Sequence, residues 1–175
     1  LVIQNTLTED FWSITLPEEL DSKSYYSPTL FAYHAALNIL EAKALFSTLK
    51  LSDLFDPSVQ ANKSTVERRH LFPKNYLETQ NISGEKNQIA NRAYVEWADN
   101  IQIADTAPET YFPRYASRFN EDELRQMMYW HALPRGWHQM DYQTFLEKRR
   151  QRIAQVTRDG FETLTENVES YGLRQ

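Results

Sequence analysis

The chain has 175 residues, of which 41% are hydrophobic and 13% aromatic, a composition that suits one folded domain with a real core and excludes a disordered chain. Cysteine is absent, so disulfides, zinc ribbons and thiol catalysis are excluded, a usage that fits a reducing cytoplasm. The net charge of −5 gives no general attraction to nucleic acid, and a count of four glycines argues against a hairpin-rich all-β fold or a Gly-rich phosphate loop.

The N-terminal run Leu1-Val2-Ile3-Gln4 lacks an initiator Met and a basic region, so it does not read as a signal peptide. It reads as an internal start, with the chain expected to be the C-terminal part of a longer protein. No apolar run approaches the roughly 18–20 residues that a membrane span needs. Phe11, Trp12, Tyr25 and Tyr26 are expected to be core residues of N-terminal helical turns. Ser27-Pro28 is an N-cap and first-turn pair, and Leu30, Phe31, Ala35, Leu37, Ile39, Leu40, Ala44 and Leu45 predict a central helix to about Phe46. His34 within it reads as a satisfied core or boundary histidine. Leu51 to Phe55 predicts a short helical turn closed by Asp56-Pro57, and residues 58–65 a polar connector.

Val66 to Phe72 predicts a short strand stopped by Pro73, with a helical turn starting over Pro73 to Leu77. Ser83 predicts an N-cap for a helix to about Asn91, although Lys86 stands where a capping box wants Glu or Gln. Ala93 to Trp97 is the second expected strand, and Asn100 to Ile103 a short helix. Pro108 and Pro113 bracket another helical piece. Asn120, followed by Glu121, Asp122 and Glu123, opens a helix that ends before Leu133. Asp141 caps a long helix with Phe145, Leu146, Ile153, Val156, Phe161 and Leu164 inward; Gly160 is expected to weaken it by about 1 kcal/mol relative to Ala. The expected fold is therefore mainly α, a single domain over 1–175 with an embedded small ββα element. Its parts are a helical lead-in over 1–57, the ββα core over 58–112 and a helical C-terminal part over 113–175.

The informative constellation is His70 at the end of the first strand, with Asn91 and Asn100 after it, around the second strand and the helix that follows. Hydrolysing a phosphodiester needs an activated water, charge stabilisation on the phosphate and help for the leaving oxygen. A histidine can take the water's proton near neutral pH. A divalent ion such as magnesium can supply the other two functions. An asparagine can lend a cation its side-chain oxygen, or brace a loop by bonding backbone groups. Lys63, Arg68, Arg69, Lys74, Lys86 and Arg92 surround this motif; Lys148, Arg149, Arg150 and Arg152 cluster later and read most simply as a solvated helix face. His131 and His138, beside Trp130 and Trp137, read as part of an aromatic-rich helix junction rather than a second metal site.

The stretch Val66-Glu67-Arg68-Arg69-His70-Leu71-Phe72-Pro73-Lys74-Asn75-Tyr76-Leu77, with Asn87-Gln88-Ile89-Ala90-Asn91 and Asn100 to Pro108, resembles the C-terminal HNH-like (His-Me finger) nuclease domain of GmrSD-type modification-dependent restriction proteins. Ser27 to Tyr33 and Phe145 to Arg150 extend the likeness into the helical flanks. The resemblance implies a cytoplasmic prokaryotic phage-defence protein in which an N-terminal ParB-like, nucleotide-hydrolysing domain accompanies the nuclease. It implies DNA as substrate, His70 as general base, Asn91 as the loop-bracing residue, Asn100 as ligand to a divalent metal (Mg, or Mn), and Arg68, Arg69, Lys74 and Arg92 near the phosphates.

The departure is Arg69, which stands where that group has a His or Asp as a metal ligand. A guanidinium has no acceptor lone pair and stays charged. Three explanations remain: the metal is held by Asn100, phosphate and water alone; Arg69 clamps the phosphate; or the site is inactive. A catalytically impaired DNA-binding or interdomain docking module that keeps the nuclease shape is the alternative reading.

Overall fold

The computed structural model describes residues 6–24, 26–55 and 66–172; Tyr25, Lys63 and the connector expected over 58–65 lie outside the described residues. Helix dominates, with one small two-stranded antiparallel sheet set between the helices. After a π-helical turn at Phe11–Thr15, the helices are α1 (Leu16–Glu19), α2 (Pro28–Ile39) and α3 (Leu51–Phe55). Then come β1 (Val66–His70), α4 (Lys74–Thr79), β2 (Arg92–Glu96), α5 (Trp97–Ile103), α6 (Pro108–Ala116), α7 (Glu121–Trp130) and α8 (Tyr142–Gly172). The mainly α fold with an embedded ββα element is thus what the chain adopts.

Local chemistry explains the well-defined helix starts. Asn120 caps α7 by accepting from the Glu123 amide at 2.9 Å, while Glu123 accepts from the Asn120 amide at 3.0 Å, a complete capping box. Asp141 accepts from the Thr144 amide at 3.0 Å at the start of α8. Pro28 and Pro108 occupy first-turn positions, where no amide is needed. Pro113 sits inside α6, which continues past it to Ala116 rather than ending there.

Two expected helices take other forms. α2 ends at Ile39, not Phe46, and the chain turns at Glu41 (φ 53°) and Phe46 (φ 64°). Between those turns Lys43 pairs with Lys50, and Leu45 bridges β2 at Val95 in parallel sense, its amide donating to Tyr94 O at 2.8 Å. Ala42, Ala44, Leu45 and Phe46 are all buried, and a short, mostly apolar stretch of this kind serves a buried extended segment as well as it serves a helix. The helix expected from Ser83 is absent apart from a 3₁₀ turn at Ile89–Asn91. Gly84 sits at φ 123°, and this loop is held from outside: Ser83 O accepts from Gln143, Glu85 O from the Tyr142 hydroxyl, and the Ile89 amide donates to Ser22 O.

Two buried clusters fill the interior. One joins Phe46, Phe72, Tyr111, Tyr115, Trp137 and Phe145 between the sheet, α6, α7 and the start of α8. The other joins Leu16, Leu20, Leu37, Leu51, Ile153 and Val156 between α1, α2, α3 and α8. Phe145, Leu146, Ile153 and Val156 face inward on α8 as expected, whereas Leu164 is 46% exposed and borders an open groove with Phe11 and Trp12. Tyr26, expected in the core, is also exposed. No helix among the described residues is long and apolar enough to cross a membrane.

Candidate functional site

The sheet register decides which of the singled-out residues can meet. β1 and β2 pair antiparallel, with Arg68 opposite Tyr94, Arg69 opposite Ala93 and His70 opposite Arg92. Side chains alternate along a strand, so Arg68 and His70 share one face with Tyr94 and Arg92. Glu67 and Arg69 share the other face with Val95 and buried Ala93.

On the first face His70 is half-buried, and its Nε2 lies 3.3 Å from Asn87 Oδ1. That same oxygen accepts from Arg92 Nη2 at 3.0 Å, which fixes the amide with its carbonyl toward both groups. A carbonyl oxygen can only accept, so the His70 proton resides on Nε2 and Nδ1 carries the free lone pair. Burial lowers the His70 pKa from its ordinary value, the nearby Lys74 ammonium lowers it further, the Asn87 bond partly offsets this, and Arg69 adds a smaller downward push. The imidazole is therefore neutral at neutral pH, with a basic nitrogen available.

Asn91 holds the turn that follows His70. It is fully buried; its Oδ1 accepts from the Phe72 amide at 2.9 Å, and its Nδ2 donates to Phe72 O and Lys86 O, each at 3.0 Å. One amide side chain thereby satisfies both backbone groups of Phe72 and joins the end of β1 to the loop before β2. The Tyr111 hydroxyl donates to Leu71 O at 2.7 Å and secures the preceding residue.

On the second face Arg69 is 7% exposed, and its guanidinium is spent on α5. Nη1 donates to Asn100 O at 2.9 Å and to Asn100 Oδ1 at 2.7 Å, while Nη2 donates to Ala104 O. Its charge lies 5.9 Å from the centre of the Tyr111 ring, and burial lowers its pKa. Asn100 Nδ2 in turn donates to Glu67. Arg69 and Asn100 thus come together, as two positions serving one centre would, but His70 lies across the sheet with Asn87 and Arg92. A divalent cation needs converging oxygen lone pairs, and the side-chain oxygen of Asn100 points at a positive group 2.7 Å away. As arranged, the residues around Asn100 do not fit a metal ion. No group of three or more His, Asp or Glu side chains placed to hold one occurs among the described residues.

The remaining basic residues divide. Lys74 is exposed at the start of α4, and Arg68 is exposed on the His70 face. Of the later cluster, Lys148 and Arg152 are solvated, but Arg149 is fully buried, donating to His131 O at 3.1 Å and Ala90 O at 2.7 Å. Arg150 is half-buried and donates to Gln88 Oε1 at 2.9 Å. A solvated face does not describe those two. The other histidines are packed: His131 sits against Lys43 O at 2.9 Å, His138 stacks on Phe112, and His34 meets the Tyr94 hydroxyl at 2.8 Å. Asn87 and Arg149 are the residues that sequence reasoning left without a role. Asn87 stands in the same five-residue run as Asn91, which was the available signal. The signal for Arg149 was helical periodicity: it stands four residues after Phe145, three after Leu146 and four before Ile153, the positions read as inward on this helix, whereas Lys148 and Arg150 flank that stripe.

Comparison with protein-family models, with curated proteins and with solved structures gives no match for this chain.

Proposed function

We propose that the domain is a DNA endonuclease of the HNH-like type, in which His70 takes a proton from the attacking water. One observation carries the reading: a neutral imidazole, with its Nδ1 lone pair free, stands at a strand end among Arg68, Lys74 and Arg92, on a turn stapled by Asn91. The cations attract the phosphodiester and stabilise the charge that grows on it, and Nδ1 of His70 supplies the base. Arg69 belongs to the scaffold of this site, since its Nη1 and Nη2 donate to Asn100 and Ala104. No catalytic step is routed through a metal at Asn100; dependence on magnesium or manganese is read directly in the assay. The resemblance further suggests a cytoplasmic restriction protein of prokaryotic phage defence, with a ParB-like nucleotide-hydrolysing domain as partner.

A second reading is a DNA-binding or interdomain docking module without cleavage, favoured by the guanidinium bonded to Asn100 Oδ1. The test is nicking of supercoiled DNA by the intact protein, with magnesium, manganese or a chelator, at two salt concentrations. Under the nuclease reading, His70→Ala lowers the nicking rate at least about 100-fold, the range general-base loss produces. Undiminished cutting by that variant removes His70 from the mechanism. Salt-sensitive binding with no cutting under any condition establishes the second reading.

A further inference from the structure

An open groove of about 370 Å³ lies between the N-terminal turns, α2 and α8. Its two long walls present side chains at the spacing of a helix–helix seam. α2 contributes Pro28, Ala32, Ala35 and Ile39; α8 contributes Thr157, Phe161 and Leu164, a row that Val168 continues at 63% exposure. Steps of four, three and four residues keep a row on one helical face, the pattern by which one helix packs along another. Leu7, Phe11 and Trp12 line the third side, with the Trp12 and Phe161 ring centres 5.9 Å apart. Ala32, Ala35, Leu164 and Val168 are all exposed, so no described residue covers the rows. The small side chains of Ala32 and Ala35 leave room for another helix to come near.

Charge decides among the occupants. Of the segments that wall the groove, residues 6–19 hold four carboxylates and no Lys or Arg, and α2 holds none of either. Residues 157–168 add three carboxylates and one cation, Arg158. That cation is already engaged, donating from Nη1 to Glu9 at 2.7 Å and from Nε to Glu162 at 2.8 Å. Glu19 lines the groove itself, and neither it nor Asp10 pairs with a cation among the described residues. The local field is therefore negative at neutral pH. A second copy of the chain would bring the same excess and be repelled, whereas lysine and arginine are attracted. The walls are helical, with their backbone bonds internal, so an extended strand gains no main-chain partner here; a helix brings a matching row of side chains.

We propose that this groove docks a cationic amphipathic helix of a protein partner, its apolar row laid along the seam between α2 and α8. Its Lys or Arg side chains lie in the negative field of the surrounding carboxylates. Apolar contact along the seam supplies affinity, and charge selects a basic helix over an acidic one. The inference is independent of cleavage at His70, because none of the groove residues belongs to the site around the imidazole.

The test is fluorescence anisotropy of a labelled three-heptad peptide, with Leu at its a and d positions and Lys and Ala elsewhere, titrated with the purified protein. Two controls accompany it: a scrambled peptide of the same composition, and a twin with Glu in place of Lys. Saturable binding of the Lys peptide is expected, with both controls about tenfold weaker or worse. Ala32→Gln with Ala35→Gln obstructs the seam without changing charge, and Asp10→Asn with Glu19→Gln removes charge without touching the rows. Each pair is expected to weaken binding about tenfold. All four positions are exposed and Gln is a good helix former, so the variants are expected to fold, which circular dichroism checks. No saturable binding, equal binding of the scrambled peptide, or affinity unchanged in both folded variants overturns the proposal. So does a dimer of the protein alone, seen by sedimentation velocity, that Ala32→Gln with Ala35→Gln dissociates, since it assigns the groove to a second copy. DNA nicking by the same variants reads the nuclease proposal separately.

Discussion

At the scale of single residues, the chemistry turns on what holds each side chain. His70 has its proton directed to Asn87, and its pKa is pushed below the ordinary histidine value. A general base works only when neutral, so under the proposed nuclease reading cleavage is expected to rise with pH through the His70 pKa, with half-activity below pH ~6.5. Asn87→Asp sets a carboxylate against Nε2, favours the imidazolium, and moves that midpoint up by about one unit. The pH profile of initial nicking rates measures both, and a midpoint unmoved in the variant removes Asn87 from a positioning role. Arg69 illustrates the converse. From the sequence it stood as a lost metal ligand or a phosphate clamp, and its contacts make it a brace that ties β1 to the end of α5. Ala104, whose carbonyl it holds, sits at φ 44°, a positive φ uncommon for a residue with a Cβ. Arg69→His is therefore expected to release Asn100 Oδ1 while weakening the α5 terminus. Its readouts are metal-stimulated nicking, which rises if a ligand position has been restored, and thermal midpoint, which falls.

Between elements, α2 and α8 pack closely at Gly160. A Cβ built on Gly160 would lie 2.5 Å from Ala36 Cβ and 2.7 Å from Ala36 Cα, nearer than packed atoms tolerate. Helix propensity by itself makes Gly160→Ala stabilising by about 1 kcal/mol. The packing reverses the sign: the variant forces the helices apart and is expected to lose roughly 1–3 kcal/mol. Urea unfolding of Gly160→Ala decides between the two, with a raised midpoint ruling out the close approach. The same contact shows how far the sequence can be read. The wide apolar face of α2, with its small alanines, already implied a tightly packed central helix. That the partner would be a glycine on α8 did not follow from any local pattern, because a helix–helix contact between residues so distant in sequence leaves no periodic trace.

Over the whole molecule, burial of neutral histidines makes stability depend on acid. His131 is fully buried against Lys43 O, and burial lowers its pKa to about 4. Its folded pKa is below the unfolded value of about 6.5, so the unfolded chain binds the proton first. Its contribution is complete above pH ~6.5 and is lost as pH falls toward ~4, amounting to about 3 kcal/mol at about 1.36 kcal/mol per unit. His34, also lowered to about 4, acts in the same direction. Chemical denaturation at pH 7, 5.5 and 4.5 should show this decline, and His131→Gln should flatten it; a slope unchanged in that variant assigns the acid sensitivity elsewhere.

Element identity was largely written locally. Asn120 with Glu123, Asp141, Pro28 and the two short strand segments are short-range signals, and each produced the helix or strand it predicts. The bracing role expected of Asn91 came from the resemblance rather than from local pattern; in the structure its amide bonds both backbone groups of Phe72. Two things were settled by tertiary structure alone. The mostly apolar stretch from Ala42 to Phe46 became extended because β2 stood ready to bridge it at Leu45, a competition that local propensity cannot weigh. The strand register then set His70 opposite Arg92 and Arg69 opposite Ala93, and so decided which partners each face offers. Residue types and their order carry the chemistry this chain can perform; which groups meet depends on long-range packing, where a shift of one position exchanges the two faces of a strand.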